Sequence, residues 1–201
     1  MSAVLQSDHR FHAPLGESRT SIGQPDLGFF LNYWSMRRGD RQLPARADID
    51  PIDIPQFLSN IGLVEVEQGP RRYRYRLVGS FIIAMCGENF QGRYLDEAQY
   101  GPYRTLLETL YGTATDNRRP VLSEAVFHYD SEQPLTIRRL ILPLAQDDEA
   151  PVNMILFANE FVAPDLPERS TALFHFHEEA PFRLGCLRSI EETFLKTLPI
   201  D

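Results

Sequence analysis

Lysine is almost absent from this sequence. Twenty of its 201 residues are lysine or arginine, and Lys196 is the only lysine among them. Chemistries that need a lysine amine inside the fold, such as Schiff-base formation and the phosphate grip of P-loop enzymes, therefore lack their residue. This absence excludes several large classes of enzyme.

Cysteine and long apolar runs are scarce as well. Cys86 and Cys186 lie too far apart to form a disulfide framework or a zinc ligand set. The longest apolar run, residues 81–86, is too short to span a bilayer, and the first twenty residues contain no apolar core of a secretory signal. We therefore expect a cytoplasmic protein that holds no membrane span.

The charge balance is acidic, with 28 aspartates and glutamates and a net charge of −8. An overall negative field disfavours general binding to nucleic acid or to anionic membranes. The hydrophobic fraction of 43% is ample for a core, and the length suits one domain with extensions.

The first periodic segment predicts a helix over Leu27–Arg38, capped by Asp26. Its apolar residues form two stripes rather than one, so more than half of its circumference is apolar. Such a helix usually contacts both its own core and a second partner. The stripes are Leu27, Phe30, Leu31 and Trp34, and beside them Phe29, Tyr33 and Met36.

Alternating apolar and polar residues predict strands in the rest of the chain. Residues 61–67 and 73–78 form a hairpin, and residues 121–129, 135–144 and 152–161 form an antiparallel meander. Helical patterns at 81–92 and 102–111 fall between the hairpin and the meander. A last helical pattern follows the meander, at about 186–196. The order predicts an α+β fold with the short helices on one face of the sheet.

Four motifs lie within this pattern. They are Tyr33-Trp34 with Arg37, Gly39 and Arg41; Pro44-x-Arg46-x-x-Ile49-Asp50-Pro51; Tyr75-Arg76-Leu77-Val78-Gly79 followed by Gly87 and Gly92; and Arg139-Leu140-x-Leu142-Pro143-Leu144. Together with the order of elements, over about residues 27–162, they resemble a bacterial family of small single-domain PAS-like proteins.

The resemblance implies a five-stranded antiparallel sheet, short helices on one face and a preceding helix that often pairs two copies. The PAS-like domain spans 26–163. Outside the resemblance, the lack of an apolar period and the presence of Gly16, Gly23 and Pro25 predict a mobile N-terminal arm over 1–25, and residues 164–201 form a C-terminal extension with a short helix. The resemblance also implies a hollow for a ligand, although the sequence identifies no cofactor. We expect the hollow to be lined by Phe81, Met85, Phe90, Tyr94, Tyr103, Leu107, His128 and Met154, and the dimer helix to use Phe29, Phe30, Tyr33 and Trp34.

Catalytic and cofactor motifs are weak. Residues 87–94 have the glycine spacing of a P-loop, but Arg93 stands in place of its lysine. Cys86 does not lie in the motif of flavin-binding relatives, and one histidine on a strand, His128, is a poor indication of haem. With no nucleophile motif in the chain, we expect no enzyme.

Residues 71–76 alternate arginine with tyrosine, which suits stacking on RNA. If the hairpin closes over residues 68–71, however, Glu67 faces Arg72 and Glu65 faces Arg74, and the arginines are neutralised locally. The leading hypothesis is a sensory or regulatory module that binds a small ligand and signals to a partner protein, as a homodimer. The alternatives are a ligand-free adaptor with a filled core and RNA binding through Arg72–Arg76.

Overall fold

A computed structural model describes residues 26–99, 101–129, 134–162 and 187–200. The N-terminal arm expected over 1–25, and residues 164–186 of the C-terminal extension, lie outside these ranges. The helices are α1 (Leu27–Arg38), α2 (Ser80–Cys86), α3 (Leu95–Ala98) and α4 (Gly101–Asn117), and the strands are β1 (Ile61–Glu67), β2 (Arg72–Val78), β3 (Val121–Tyr129), β4 (Leu135–Ala145), β5 (Val152–Val162) and β6 (Leu187–Thr197). Three short 3₁₀ turns, Arg46–Asp48, Pro51–Asp53 and Pro55–Asn60, connect α1 to β1.

The strands form one antiparallel sheet in the order β2-β1-β5-β4-β3-β6. The predicted α+β class, hairpin and meander are all confirmed. The hairpin register is also as predicted, since Glu67 lies opposite Arg72 and Glu65 opposite Arg74. A bulge at Arg76 then reverses the alternation of the strand, so that Leu77 is exposed whereas Tyr73 and Tyr75 are buried.

The helix predicted at about 186–196 is wrong, because Leu187–Thr197 is the strand β6. It pairs with β3 from Val121 to Tyr129 and makes the sheet six-stranded rather than five-stranded. Without β6, the outer edge of β3 would leave a row of backbone donors and acceptors unpaired. These long-range backbone bonds outweigh the three- and four-residue apolar spacing that suggested a helix.

Helices cover both faces of the sheet. We call the face under α2–α4 the inner face. It includes Phe157 of β5, whose ring lies 6.3 Å from the ring of Tyr111 in α4. It also includes Ile141 of β4, which lies opposite Phe157. The outer face carries the alternate residues, among them Leu140 and Leu142 of β4, which are buried as well. Helix α1 contacts β4 and β5 there, so the single helical layer expected from the sequence applies to α2–α4 alone.

Helix α1 begins and ends where its sequence predicts. The Asp26 carboxylate accepts hydrogen bonds from the backbone N–H groups of Gly28 and Phe29, at 2.8 and 3.2 Å. Gly39, with φ of 58°, ends the helix in a conformation that glycine adopts without a Cβ clash. The Trp34 indole N–H donates to the Pro143 carbonyl at 3.0 Å and fixes the helix to β4.

Across the described ranges, no helix combines the length and the apolar character needed to cross a membrane.

The close approach of Gly79 to the 3₁₀ turn before β1 gives a stability prediction. A Cβ at Gly79 would lie 2.6 Å from the Leu58 carbonyl oxygen and closer still to that of Ser59. Because both obstacles are backbone, we expect Gly79→Ala to lower the free energy of unfolding by about 1–3 kcal/mol in urea denaturation. The matched control is Gly112→Ala in α4, where the nearest atom is 3.8 Å away. That variant should leave stability unchanged or raise it by up to about 1 kcal/mol; equal losses in both variants would contradict this account.

Candidate functional site

The inner face of the sheet holds one arginine among apolar residues. Arg139 of β4 lies in phase with Ile137 and Ile141, and alternation along the strand directs it toward α4. Only 1% of its surface is exposed. A buried cation of this kind is costly unless it meets an anion or enough hydrogen-bond acceptors.

The guanidinium of Arg139 is incompletely satisfied. Its Nη2 donates to the Tyr103 hydroxyl at 3.2 Å, and its Cζ lies 4.9 and 5.4 Å from the ring centroids of Phe127 and Tyr103. Within the described part of the chain, neither Nε nor Nη1 has a hydrogen-bond partner. Two aromatic rings and one hydroxyl therefore hold a charge whose remaining donors are open.

Arg139 is the centre of a polar row across the sheet. Ser123 of β3 and Asn159 of β5 lie directly opposite it on the neighbouring strands, and both are buried. The Ser123 hydroxyl and the Asn159 carbonyl oxygen also lack hydrogen-bond partners in the described ranges. Native cores contain few such groups, so three in one cross-strand row mark this region as exceptional.

The ionisable groups around Arg139 are neutral at physiological pH. Desolvation raises the pKa of the Cys86 thiol to about 12, although the Arg139 cation acts in the opposite direction. Burial likewise raises the pKa of Tyr103 and of Tyr111, against the same opposing effect of Arg139. These side chains offer Arg139 hydroxyl and thiol dipoles but no negative charge.

The next residue, Arg138, shows what a compensated arginine looks like in this sheet. It points to the outer face, where its Nε lies 2.6 Å from Glu124 Oε2 and its Nη1 lies 3.5 Å from Glu160 Oε2. Two consecutive arginines therefore have opposite environments: Arg138 is ion-paired, whereas Arg139 is not.

Five of the eight residues predicted to line a hollow lie on the inner side. Met85, Phe90, Tyr103 and Leu107 are buried, and Phe90 packs 4.5 Å from Tyr75, ring to ring. Phe81 is half-buried and lies 5.5 Å from the Phe161 ring of β5. The structure thus brings these five together beneath α2–α4.

The other three predictions for the hollow are corrected by the structure. His128 and Met154 sit on the outer face, since each is one residue out of phase with the inward-facing Phe127 and Ile155. The His128 imidazole lies 3.9 Å from Glu191 of β6. Tyr94 lies beside the outer edge of β2, where its hydroxyl bonds to Glu67 at 2.8 Å.

Most of the residues predicted for a dimer helix are used inside the chain. Phe30 and Trp34 are fully buried, and the Tyr33 hydroxyl donates to Asp53 at 3.1 Å. The covering of the outer face explains the large apolar circumference of α1. Among the four, only Phe29 is exposed, at 39%.

The arginines of β2 are engaged by neighbouring groups. Arg72 bonds to Asp96 and Glu97 at 2.7 and 2.9 Å and lies 3.6 Å above the Tyr94 ring. Arg76 lies 3.6 Å from Glu65, and Arg74 donates to the Gly92 carbonyl at 3.1 Å. Two of these three arginines are therefore ion-paired, but with partners other than those expected. Helix α3 supplies the acids for Arg72, Glu65 pairs with Arg76, and Arg74 bonds to a backbone carbonyl.

The sequence interpretation did not select Arg139, Ser123 or Asn159 as site residues. Arg139 was recognised only as part of a family motif, although its position in phase with Ile137 and Ile141 is a readable signal of an inward charge. The cross-strand positions of Ser123 and Asn159 depend on the register of three strands, and neither residue has a local signal.

No cluster of three or more histidine, cysteine or acidic side chains with metal-ligand geometry occurs among the described residues.

A family model described as "PAS domain" matches residues 24–156 of the chain. No curated protein matches the sequence significantly.

The contrast between the two arginines gives a prediction for the ligand-free protein. Arg139→Met removes an uncompensated buried charge, so we expect it to raise the free energy of unfolding by about 1 kcal/mol or more. Arg138→Met removes the cation facing Glu124 and Glu160 and should lower it by about 1–3 kcal/mol. Chemical denaturation after removal of bound small molecules measures both. A loss of stability in both variants would show that Arg139 is compensated within the chain.

Proposed function

Because the chain belongs to the PAS domain family, we propose that it is a non-catalytic sensory or regulatory module of the cytoplasm that binds a small ligand beneath α2–α4 and signals through protein contacts. The observation that carries this proposal is the buried polar row of Ser123, Arg139 and Asn159, whose open donors and acceptors suit a polar ligand.

This row favours ligand binding over the alternative of an adaptor with a filled core. A core that serves only stability gains by placing apolar side chains at such positions, since each unsatisfied buried polar group costs about 1–3 kcal/mol. Aromatic residues supply the apolar part of the same region: Tyr103 and Phe127 lie 5.6 Å apart, and Phe90 packs on Tyr75. A polar centre within aromatic walls is typical of small-molecule sites.

The position of β4 supports a route from the ligand to the surface. Arg139 of β4 faces the inner side, whereas the Pro143 carbonyl of the same strand accepts the hydrogen bond from Trp34 of α1. A ligand that binds one arrangement of β4 and α4 more tightly than another shifts the population toward it. In this proposal the movement of β4 is passed to α1.

The same proposal assigns the partner surface to the exposed side of α1. Phe29 and Met36 lie seven positions apart on one side of the helix, and Met36 is 80% exposed. Ile52 of the following 3₁₀ turn is 82% exposed, and that turn is tied to α1 by the bond between Tyr33 and Asp53. We propose that a second copy of the chain packs against these three residues. Phe29 is kept from the predicted dimer contact, and Met36 and Ile52 take the place of the buried Phe30, Tyr33 and Trp34.

RNA binding through β2 receives less support. Arg72 and Arg76 are ion-paired and Arg74 is hydrogen-bonded, so stacking on RNA would first have to break these contacts. Retention of single-stranded RNA at low salt that is lost on Arg74→Glu would favour this reading instead.

The ligand proposal predicts a co-purifying molecule. Native mass spectrometry of the full chain should show a mass above that of the polypeptide, and denaturing spectra of the same sample should not. The expected excess is one small molecule per chain, because the polar row occurs once. Preparations that consistently show the bare polypeptide mass would favour the adaptor.

The dimer proposal predicts that charge on the exposed side of α1 separates two copies. The double variant Met36→Asp, Ile52→Asp should be monomeric in size-exclusion chromatography with light scattering, at concentrations where the wild type is dimeric. Its unfolding midpoint should change little, since both side chains are largely exposed. Leu77→Asp, an exposed apolar residue on β2, is the control and should remain dimeric. A wild type that stays monomeric at high concentration would refute the dimer.

A further inference from the structure

We propose that the ligand of this module is a small organic anion, a carboxylate or phosphate carried on an apolar body, whose charged group pairs with Arg139. This inference rests on the proposed function and narrows it to one chemical class. The small ligand expected from the sequence is thereby restricted to one with a negative end.

The first support is the open hydrogen-bonding capacity of the guanidinium. Arg139 is 1% exposed, yet its Nε and Nη1 groups have no partner within the described ranges. Nη2 carries two N–H groups, and Tyr103 accepts from only one of them. The other lies beside Nε or Nη1 in a fixed fork that matches carboxylate and phosphate oxygens. Bulk water does not reach this depth, and a bound anion would satisfy the open donors.

The second support is the lack of an internal counter-ion. Arg138 on the outer face takes both Glu124 and Glu160 as its partners, and these carboxylates point away from Arg139. The inner-side groups on which Arg139 acts, Cys86, Tyr103 and Tyr111, have pKa values raised by burial and carry no negative charge at physiological pH. The described residues therefore supply a cation to the interior and no anion to balance it.

The third support is the depth to which the side chain reaches. Ser123 and Asn159 flank Arg139 in the sheet, but the guanidinium extends past these short side chains to the Tyr103 hydroxyl on α4. It thus lies between the sheet and the helices. Because Tyr103 accepts a bond from Nη2, its own hydroxyl proton remains available to the same anion.

The aromatic surroundings specify the rest of the ligand. The rings of Phe127 and Tyr103 flank the guanidinium, and Tyr111 lies on the same side of the sheet. An inorganic ion has no apolar surface to place against these rings, whereas a ring or short chain behind the charged group would pack on them. The expected ligand is therefore organic as well as anionic.

The first test identifies what the chain carries. Small molecules released by denaturing the purified full-length protein are analysed by mass spectrometry in negative and positive ion modes. We expect an anion from the wild type and from Arg138→Met, the matched control on the other face. Arg139→Met should release at least about tenfold less of it, the loss expected for a charge-assisted hydrogen bond. Arg139→Lys, which keeps the charge but not the fork, should retain an intermediate amount.

The second test uses defined probes on protein stripped of bound molecules. Benzoate and phenyl phosphate separate the carboxylate and phosphate sources, benzamide is the neutral match for benzoate, and inorganic phosphate lacks the apolar body. At about five times its Kd, a bound probe should raise the Tm by about 2–4 °C in the wild type and not in Arg139→Met. Benzamide and inorganic phosphate should have no such effect.

The outcomes separate this inference from the proposed function. A neutral molecule that Arg139→Met retains as well as the wild type does would overturn the anion and leave ligand binding standing. A chain that releases nothing and responds to no probe would overturn both. Equal anion content in the wild type and Arg139→Met would place the anion elsewhere and refute the pairing with Arg139.

Discussion

The burial of the Arg139 guanidinium is the constraint on which the functional interpretation depends. A two-residue period along β4 sends Arg138 to one face and Arg139 to the other, and the faces differ in charge. On the outer face two carboxylates meet Arg138, whereas on the inner face the described residues around Arg139 are uncharged and include the Tyr103 hydroxyl and the rings of Tyr103 and Phe127. The fold thus concentrates its electrostatic imbalance in one place beneath α4.

Strand β4 also lies between the two helical layers and contacts both of them. Its inner side chains face α4 and its Pro143 carbonyl holds α1, so both layers respond to the position of this one strand. Close-packed interiors transmit displacement rather than absorb it. In the proposed function, a molecule bound at Arg139 would be separated from α1 by a single strand, and no long chain of contacts would be needed to connect them.

Local patterns predicted the parts of this fold that local forces determine. The cap at Asp26, the register of Glu67 with Arg72, and the meander of β3–β5 all follow from short-range alternation and turns. The strand β6 does not, because its structure depends on the free edge of β3, which lies far away in the sequence. The prediction for His128 and Met154 was wrong for a related reason. Their residue types and neighbours in the sequence suggested that they line a hollow, but the alternation of side chains along each strand decides which face of the sheet they occupy. The same rule, applied to Arg139, would have indicated the site.

The energy of the buried charge has a consequence for how a sensor of this kind responds. Desolvation of an uncompensated guanidinium opposes folding of the inner layer, and a bound anion relieves it. Binding at 100 times Kd contributes about 2.7 kcal/mol to the folded state, which is comparable to the cost of leaving such a group unsatisfied. In the function proposed above, the ligand-free and ligand-bound proteins would differ by an energy large enough to change the packing of α4 on β4 and small enough to remain reversible. An apolar residue at position 139 would make the fold more stable but would remove the response to an anion.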